Sequence, residues 1–542
     1  MLFTSYGFIA FLAVLLVAYY LVPKKWQWGL LLAASYGFYA FAGLECLIFI
    51  LATTLSSYFV ARLMGRETKK ETDFLALNKA TMEKEERKKY KAGVKRHRLI
   101  ILVCGLVFNF GILAVIKYTA FALSNVNSVL SLFGSNGIAI PDLILPMGIS
   151  FYIFQTMGYL IDVYRQKTDV ERNPFKLALF VSFFPQLVQG PISRHGDLAP
   201  QLYAPHKFEL RGFTYGMQRI LWGYFKKLVI ADRVLVAMKA LIERPDVGDP
   251  EPYSGAYVVI LILIYSVQIY ADFTGGIDIT IGIAECLGIK LKENFIRPFS
   301  SKSTKEYWNR WHITMGTWFT DYIFYPLSFC KPMMKLSKLS RRVFGNNIGK
   351  RVPVYIATVV TWFLTGLWHG AAWNFIVWGL LNCAVILISQ ELEPLYSKFR
   401  EKFPRLTGSW GYGKFMAVRT FLIMGLIRSL DVYADVGRTF SMWFSMFTTW
   451  NYGELFAKIG KLFTDASAKF LGLRLADYII LAVGIAVMAT VSSLGAKKSV
   501  RERLYDKPIL SWALCGTLIL AVVLLGAYSI GYDASQFIYN QF

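Results

Sequence analysis

The chain has 542 residues, 55% of them hydrophobic and 17% charged, and its apolar runs recur from near the start to near the end. This is more apolar than soluble domains usually are, and the runs are unbroken rather than the alternating ten-residue segments of a membrane barrel. The expected fold class is therefore an all-α polytopic membrane protein. The net charge of +24 would suggest nucleic acid in a soluble chain. Here the basic residues lie in short segments between apolar runs, as cytoplasmic loops facing anionic lipid do, so membrane lipid and no nucleic acid is the expected partner.

The first run, residues 2–22, has no basic start and no small-residue cleavage pattern, so it reads as a retained span rather than a signal peptide. Lys24 and Lys25 follow it, which places the N-terminus outside and this turn inside. Spans over about 26–41 and 44–63 return the chain to a charged cytoplasmic loop at 66–98. Its run KEERKKYKAGVKRHR reads as a surface helix on the inner leaflet, either a carrier-docking surface or, more simply, a topology signal. A fourth span over about 99–117 leads to a polar outer stretch, SNVNSVLSLFGSNG.

In PDLILPMGISFYIFQTMGYLIDVYR, Pro146 and Gly148 are expected to break the helix where the chain enters the bilayer. The next stretch, LALFVSFFPQLVQGPISRHG, holds Pro185, Gly190 and Pro191 between basic flanks and reads as re-entrant. His195, beside Arg194 and Asp197, reads as structural. FTYGMQRILWGYFKKLVIADRV spaces Arg219, Lys226, Lys227 and Arg233 as an amphipathic basic helix at the inner interface does. An acidic, proline-rich turn at 243–255 is expected outside. Residues 257–288 then carry Asp272 and Asp278 beside Gly275 and Gly276. This reads as a glycine break whose carboxylates either bind an ion or, more simply, orient neighbouring segments.

Residues 311–330, WHITMGTWFTDYIFYPLSFC, have basic residues on both sides. That favours an inner-face re-entrant or interfacial element and places His312 near the cytoplasmic side. Residues 352–390 are long enough for two spans of about 20 residues each. Apart from thiols and phenols, their one ionisable side chain is His369, set among Gly366, Gly370, Ala371 and Ala372 and four tryptophans, Trp362, Trp368, Trp373 and Trp378. This reads as a hairpin with His369 at its apex. Lys398, Arg400, Lys402 and Arg405 place both of its ends inside, so the apex points outward. Spans near 416–427, 477–491 and 508–531 complete the chain, the last preceded by the basic KKSVRERLYDK. No internal repeat of the kind seen in transporters is visible.

An ionisable group in a membrane run is costly and marks a functional site by default. Neutral imidazole can accept a proton from a hydroxyl at ordinary pH, which suits an alcohol attacking an acyl thioester. The sequence has no G-x-S-x-G, HExxH or CxxC pattern, which argues against a serine hydrolase or zinc site. Its six scattered cysteines read as small buried hydrophobes. Two histidines without a matched carboxylate spacing make a poor metal site, and no metal is expected. A relay for transport stays open. With His312 inside and His369 at an outward apex, a group taken up inside can be delivered outside.

The pieces PMGISFYIFQ, VQGPISR, YADFTGGIDITIG, NFIRPFSSKSTKEYWNRWHITMGTWFTDYIFYPL, LTGLWHGAAWNFIVWGL and FIYNQF occur in this order over most of the chain. Together they resemble the membrane-bound O-acyltransferases, in the branch named for alginate O-acetyltransferase. The WHI and LWHGAAW stretches together are the specific part. The resemblance implies a helical ring with re-entrant and interfacial helices and a thin centre between an outer funnel and an inner donor cavity. It implies one integral-membrane domain over 1–542, with a catalytic core segment at 305–390. By it, His369 is the active-site histidine and His312 the second histidine, supported by Asn309, Asp321, Tyr322 and Trp368. It implies an acyl thioester donor (acetyl-CoA or an acyl carrier), an extracytoplasmic SGNH-type partner, an envelope glycan acceptor, and a multi-pass place in the cell membrane.

The chain departs from the family pattern in three places. Asn309 and Thr320 stand where arginine is frequent, and Ser328 with Phe329 where a glycine pair is common. These changes bear on donor phosphate contacts and the inner loop, and leave the histidines untouched. D-alanyl transfer to teichoic acid is the alternative within the fold, and a glycan transporter or flippase the alternative from another class.

Overall fold

The computed structural model describes residues 3–78, 81–243, 253–495 and 499–528. Within them the regular structure is helical, with two isolated antiparallel bridges, Phe295 to Trp311 and Phe470 to Leu473. Seven helices among these residues are long and apolar enough to cross a membrane. The chain divides into two compact units, Met1–Phe213 with Ile283–Lys292 and Thr214–Gly282 with Glu293–Phe542.

The first unit holds α1 (Tyr6–Leu21), α2 (Gln27–Ala40), α3 (Cys46–Leu77), α4 (Lys84–Leu132), α5 (Ile149–Tyr164), α6 (Pro174–Ser182), α7 (Phe184–Leu187) and α8 (His195–Tyr203). Helices α3, α4 and α5 pack on one another, and α6 packs against α2 and α3. The charged stretch 66–98 is not a separate surface helix, contrary to the sequence reading. Its first part continues α3 and its last part is the beginning of α4. Lys, Glu and Arg are good helix formers, and extending an existing helix is far easier than nucleating one, so each span runs on past the apolar segment. Phe74 and Tyr90 stack across the two extensions at 4.3 Å. Nor does the helix of the fourth span end near Lys117. No Pro or Gly interrupts the chain between Lys117 and Gly134, and the 49-residue α4 reaches about 70 Å at 1.5 Å per residue.

Gly148 takes φ +70° and starts α5, as the expected break requires. A Cβ there would lie 2.2 Å from the Leu187 carbonyl oxygen. Helix α6 has nine residues and α7 four, far short of the roughly 20 that cross a bilayer, so this stretch is re-entrant in length. His195 packs between the Tyr159 and Phe180 rings at 4.5 and 4.9 Å, with Nδ1 3.3 Å from Thr168 Oγ1. Burial pushes its pKa down to about 4, which fits a structural imidazole.

The second unit holds most of α9 (Leu210–Tyr224), a π-helical segment (Phe225–Ala231), α10 (Asp232–Glu243) and most of α11 (Ala256–Cys286). Then come α12 (Thr304–Trp308), α13 (Ile313–Phe319), a second π-helical segment (Thr320–Phe324), α14 (Tyr325–Ser328), α15 (Lys331–Gly349), α16 (Val352–His369) and α17 (Trp373–Glu391). The remainder are α18 (Glu393–Lys402), α19 (Pro404–Thr407), α20 (Trp410–Arg428), α21 (Leu430–Tyr433), α22 (Val436–Thr448), α23 (Tyr452–Thr464), α24 (Leu475–Leu494), α25 (Val500–Leu504) and α26 (Pro508–Leu525). The proposed span at 416–427 lies in α20, which is not among the seven long apolar helices. Most of the 243–255 turn, the end of the last expected span and the FIYNQF segment lie outside the described residues.

Two readings are corrected here. The basic residues of α9 and its continuation are buried, not interfacial: Arg219, Lys226, Lys227 and Arg233 are each at most 8% exposed. They face carboxylates, because a cation inside an apolar unit is tolerated only when paired. Helix α11 also runs unbroken through Gly275 and Gly276. A glycine inside an established helix weakens it by only about 1 kcal/mol, and this one lets α9 approach. A Cβ on Gly275 would sit 3.0 Å from the Gly223 carbonyl oxygen.

Candidate active site

Helices α16 and α17 form the predicted hairpin, joined by residues 370–372. Small residues let the two backbones close together, the usual way membrane helices gain contact without a hydrophobic driving force. A Cβ on Gly366 would lie 2.4 Å from the Phe375 carbonyl oxygen, and one on Gly379 2.4 Å from that of Trp362. His369 is the last residue of α16. Its ring meets the Trp368 indole at 4.9 Å and the Trp378 indole at 4.6 Å, both edge to face. The carbonyl end of a helix is where a transient cation is best accommodated.

His312 comes from a different construction. Phe295 and Trp311 form a short antiparallel bridge, flanked by backbone bonds from Ile296 to Arg310 and from Ile313 to Asn294. The chain then turns through His312 in the left-handed region (φ +48°, ψ +49°) and enters α13. Such a conformation costs a non-glycine residue about 1–2 kcal/mol, and strain of this kind gathers at functional sites. The imidazole is fully buried, with Phe273 edge-on at 4.9 Å. Burial pushes its pKa down to about 3, so it stays neutral.

Asn294 sets the tautomer of that ring. Its Oδ1 accepts from the Thr314 backbone N–H at 3.0 Å and from Thr314 Oγ1 at 2.9 Å. The amide group facing His312 Nδ1, at 3.3 Å, is therefore the donating Nδ2. A neutral imidazole that accepts at Nδ1 carries its proton on Nε2 and offers a neutral N–H donor there.

The two imidazoles share one tryptophan. His312 lies 5.9 Å from the Trp368 ring, edge to face, and His369 4.9 Å from the same ring. The charge pattern assigned them to opposite sides. In the structure they flank one indole. The short α13, the π-helical segment after it and α14 carry His312 in towards the hairpin, which α14 contacts along α16. Trp368, predicted as supporting, is buried at this centre. Tyr322 is buried against Trp318 at 5.1 Å, and Asp321, second in the π-helical segment, is half-buried. Asn309 ends α12 with an exposed side chain, so it is not packed against either imidazole.

Sequence reasoning missed two residues that hold this arrangement. Asn294 stands 18 positions before His312, and no spacing rule connects them. Arg428 is 4% exposed; its guanidinium lies 3.8 Å over the Trp311 ring and its Nη2 donates to Tyr307 Oη at 2.7 Å. A cation closing an apolar run is its only sequence signal. The carboxylates singled out in α11 face cations. Lys226 Nζ is 2.6 Å from Asp278, whose other oxygen lies 2.9 Å from Arg219 Nε, and Lys227 bridges Asp272 at 2.5 Å and Asp232 at 2.8 Å. They orient neighbouring segments, the simpler of the two readings.

The profile of the MBOAT, membrane-bound O-acyltransferase, family matches residues 171–432, which include both histidines. Over 395 residues the chain is 32% identical to the probable alginate O-acetylase AlgI of Azotobacter vinelandii, covering 72% of this chain and 69% of that one. The chain belongs to the membrane-bound O-acyltransferase family. It is also 30% identical over 414 residues to the peptidoglycan O-acetyltransferase of Helicobacter pylori, covering 71% and 68% of the two chains. To the teichoic acid D-alanyltransferase of Bacillus subtilis it is 28% identical over 266 residues, 48% and 62% of the two. This MBOAT protein is a multi-pass membrane acyltransferase of the alginate O-acetylase branch, and the transporter reading falls away.

Proposed function

We propose that this MBOAT protein moves an acetyl or other small acyl group from a cytoplasmic thioester donor, acetyl-CoA or an acyl carrier, towards a hydroxyl of an extracytoplasmic glycan. The observation that carries the reading is the pair of imidazoles on the Trp368 indole, one at a helix end and one buried and neutral. His369 accepts the proton of the attacking hydroxyl as its oxygen bonds to the thioester carbonyl carbon. The Nε2–H of His312 donates to the carbonyl oxygen where negative charge develops. The C–S bond then breaks, and the departing thiolate takes the proton back from His369. A neutral donor suits this role, because the N–H of neutral imidazole is far less acidic than that of imidazolium and is not surrendered to the basic oxyanion.

The names of the more similar relatives favour acetyl over D-alanyl transfer, since identity and coverage both fall towards the D-alanyltransferase. An extracytoplasmic SGNH-type protein is the partner we propose to complete delivery to an envelope glycan. The test is His369→Ala in a strain whose glycan acylation is measurable. Acylation is expected to disappear while the protein stays at its normal level in the membrane, and unchanged acylation at that level rules the assignment out.

A further inference from the structure

A cavity of about 690 Å³ lies in the second unit between α11, the turn at 297–302, α20 and α24. That volume is within the range of about 300–1,000 Å³ typical of ligand sites. Three cations line it: Arg297, Lys302 and Lys414. Arg297 takes the left-handed conformation (φ +50°) at the head of the turn. The Lys302 ammonium lies beside Gly413, where a Cβ would be 3.5 Å from Nζ, and Lys414 rests over the Trp410 ring at 5.3 Å. None of the three has a carboxylate partner among the described residues. The nearby Glu306 is engaged elsewhere, with Arg310 at 2.6 Å and with the Lys302 backbone N–H at 2.7 Å.

Along α20 and α24 the wall is largely apolar and belongs to a surface of the membrane kind. Val418 of α20 is 56% exposed, and the 20-residue apolar α24 contributes Ile485 and the exposed Ala489. The cations come from the first turn of α20 and the turn before α12, beside Ser492 and Ser493 near the end of α24. One end of the cavity is thus cationic and the other runs along two apolar helices. Unneutralised cations above an apolar channel match an anionic headgroup with an acyl chain, and basic pockets between membrane helices recognise lipid headgroups by this chemistry.

We infer that this cavity binds an anionic phospholipid, its phosphate held by Arg297, Lys302 and Lys414 and one acyl chain lying between α20 and α24 along Val418, Ile485 and Ala489. The inference does not depend on the acyl-transfer chemistry.

Native mass spectrometry of the full-length protein in non-ionic detergent tests it, with phosphatidylglycerol and phosphatidylcholine as probes. The wild type is expected to retain phosphatidylglycerol in preference to phosphatidylcholine. The triple variant Arg297→Gln/Lys302→Gln/Lys414→Gln is expected to lose that preference at least tenfold. Ala489→Trp, which fills the apolar channel and leaves the charges, is expected to lower retention as well. Lys302→Arg/Lys414→Arg is expected to keep it, which separates lost charge from lost fold. Equal retention by the triple variant and the wild type overturns the inference. So does displacement of the lipid by glycerol 3-phosphate, which marks a free-phosphate site, or by equimolar coenzyme A, which marks a donor site.

Discussion

Replacing Lys227 by methionine removes the centre of the buried charge cluster while keeping most of the side-chain volume. Lys227 is 1% exposed, and its two partners, Asp272 and Asp232, are 0% and 1% exposed. Removing one member of a buried ion pair costs about 3–5 kcal/mol, because the remaining charge is stranded without water. Asp232 has an escape. Burial pushes its pKa up to about 7 against the pull of Lys227, so it takes up a proton once the lysine is gone. The loss therefore falls near the low end, about 3 kcal/mol, which lowers the unfolding midpoint of a chain this long by on the order of 3 °C. Thermal unfolding of the detergent-purified protein, followed by size-exclusion recovery, measures it. The triple change Lys227→Met/Asp272→Asn/Asp232→Asn should regain most of the loss, since uncharged groups carry no ionic desolvation penalty. A single variant that unfolds with the wild type, or a triple variant no more stable than the single one, refutes the reasoning.

The same carboxyl predicts a pH dependence. Its folded pKa is raised from 3.8 to about 7, so the folded state binds more protons between those values. The stabilisation is full below the unfolded pKa and is lost as pH rises through 7. The unfolding midpoint should fall between pH 5 and pH 7 (roughly the upper half of that window), and Asp232→Asn should flatten the slope. Gly366→Val places a methyl-bearing carbon against the Phe375 carbonyl and should cost about 1–3 kcal/mol by overpacking, read as a lower midpoint with lower activity. Arg428→Met should cut kcat about tenfold or more by releasing Trp311 and so misplacing His312, a loss of orientation that leaves the KM for donor little changed. Arg428→Lys should restore only part of it, because a lysine lacks the planar stack, and full activity in Arg428→Met shows that the clamp positions nothing.

The sequence showed the hairpin because its signals are local: a long apolar run, one imidazole, and glycines spaced for close helix approach. It showed the break at Gly148 and the re-entrant length of 174–187 for the same reason. The amphipathic reading of 210–233 failed because spacing reports a face and not what that face meets. Arg219 and Lys226 meet Asp278, and Lys227 meets Asp272, carboxylates of α11 that lie 45–59 positions later. The helix continuations of α3 and α4 were hidden because charge changes the solvent but not the propensity of Lys, Glu and Arg to stay helical. The pairing of His312 with His369 came only from the fold, since charge-based topology assigns loops to sides and says nothing of how far a short re-entrant helix reaches. Asn294 and Arg428 act through packing between segments distant in sequence, and no local pattern marks them.

The central claim is tested most directly by the purified protein in proteoliposomes, with a radiolabelled acyl thioester on one side and a hydroxyl acceptor on the other. His369→Gln keeps the size and polarity of the site and removes its base. Wild type should consume the thioester and place label on the acceptor, and His369→Gln should lower that transfer by about 10²-fold or more, the usual contribution of a general base, with thermal stability preserved. Label appearing on the acceptor at the wild-type rate in His369→Gln contradicts the account.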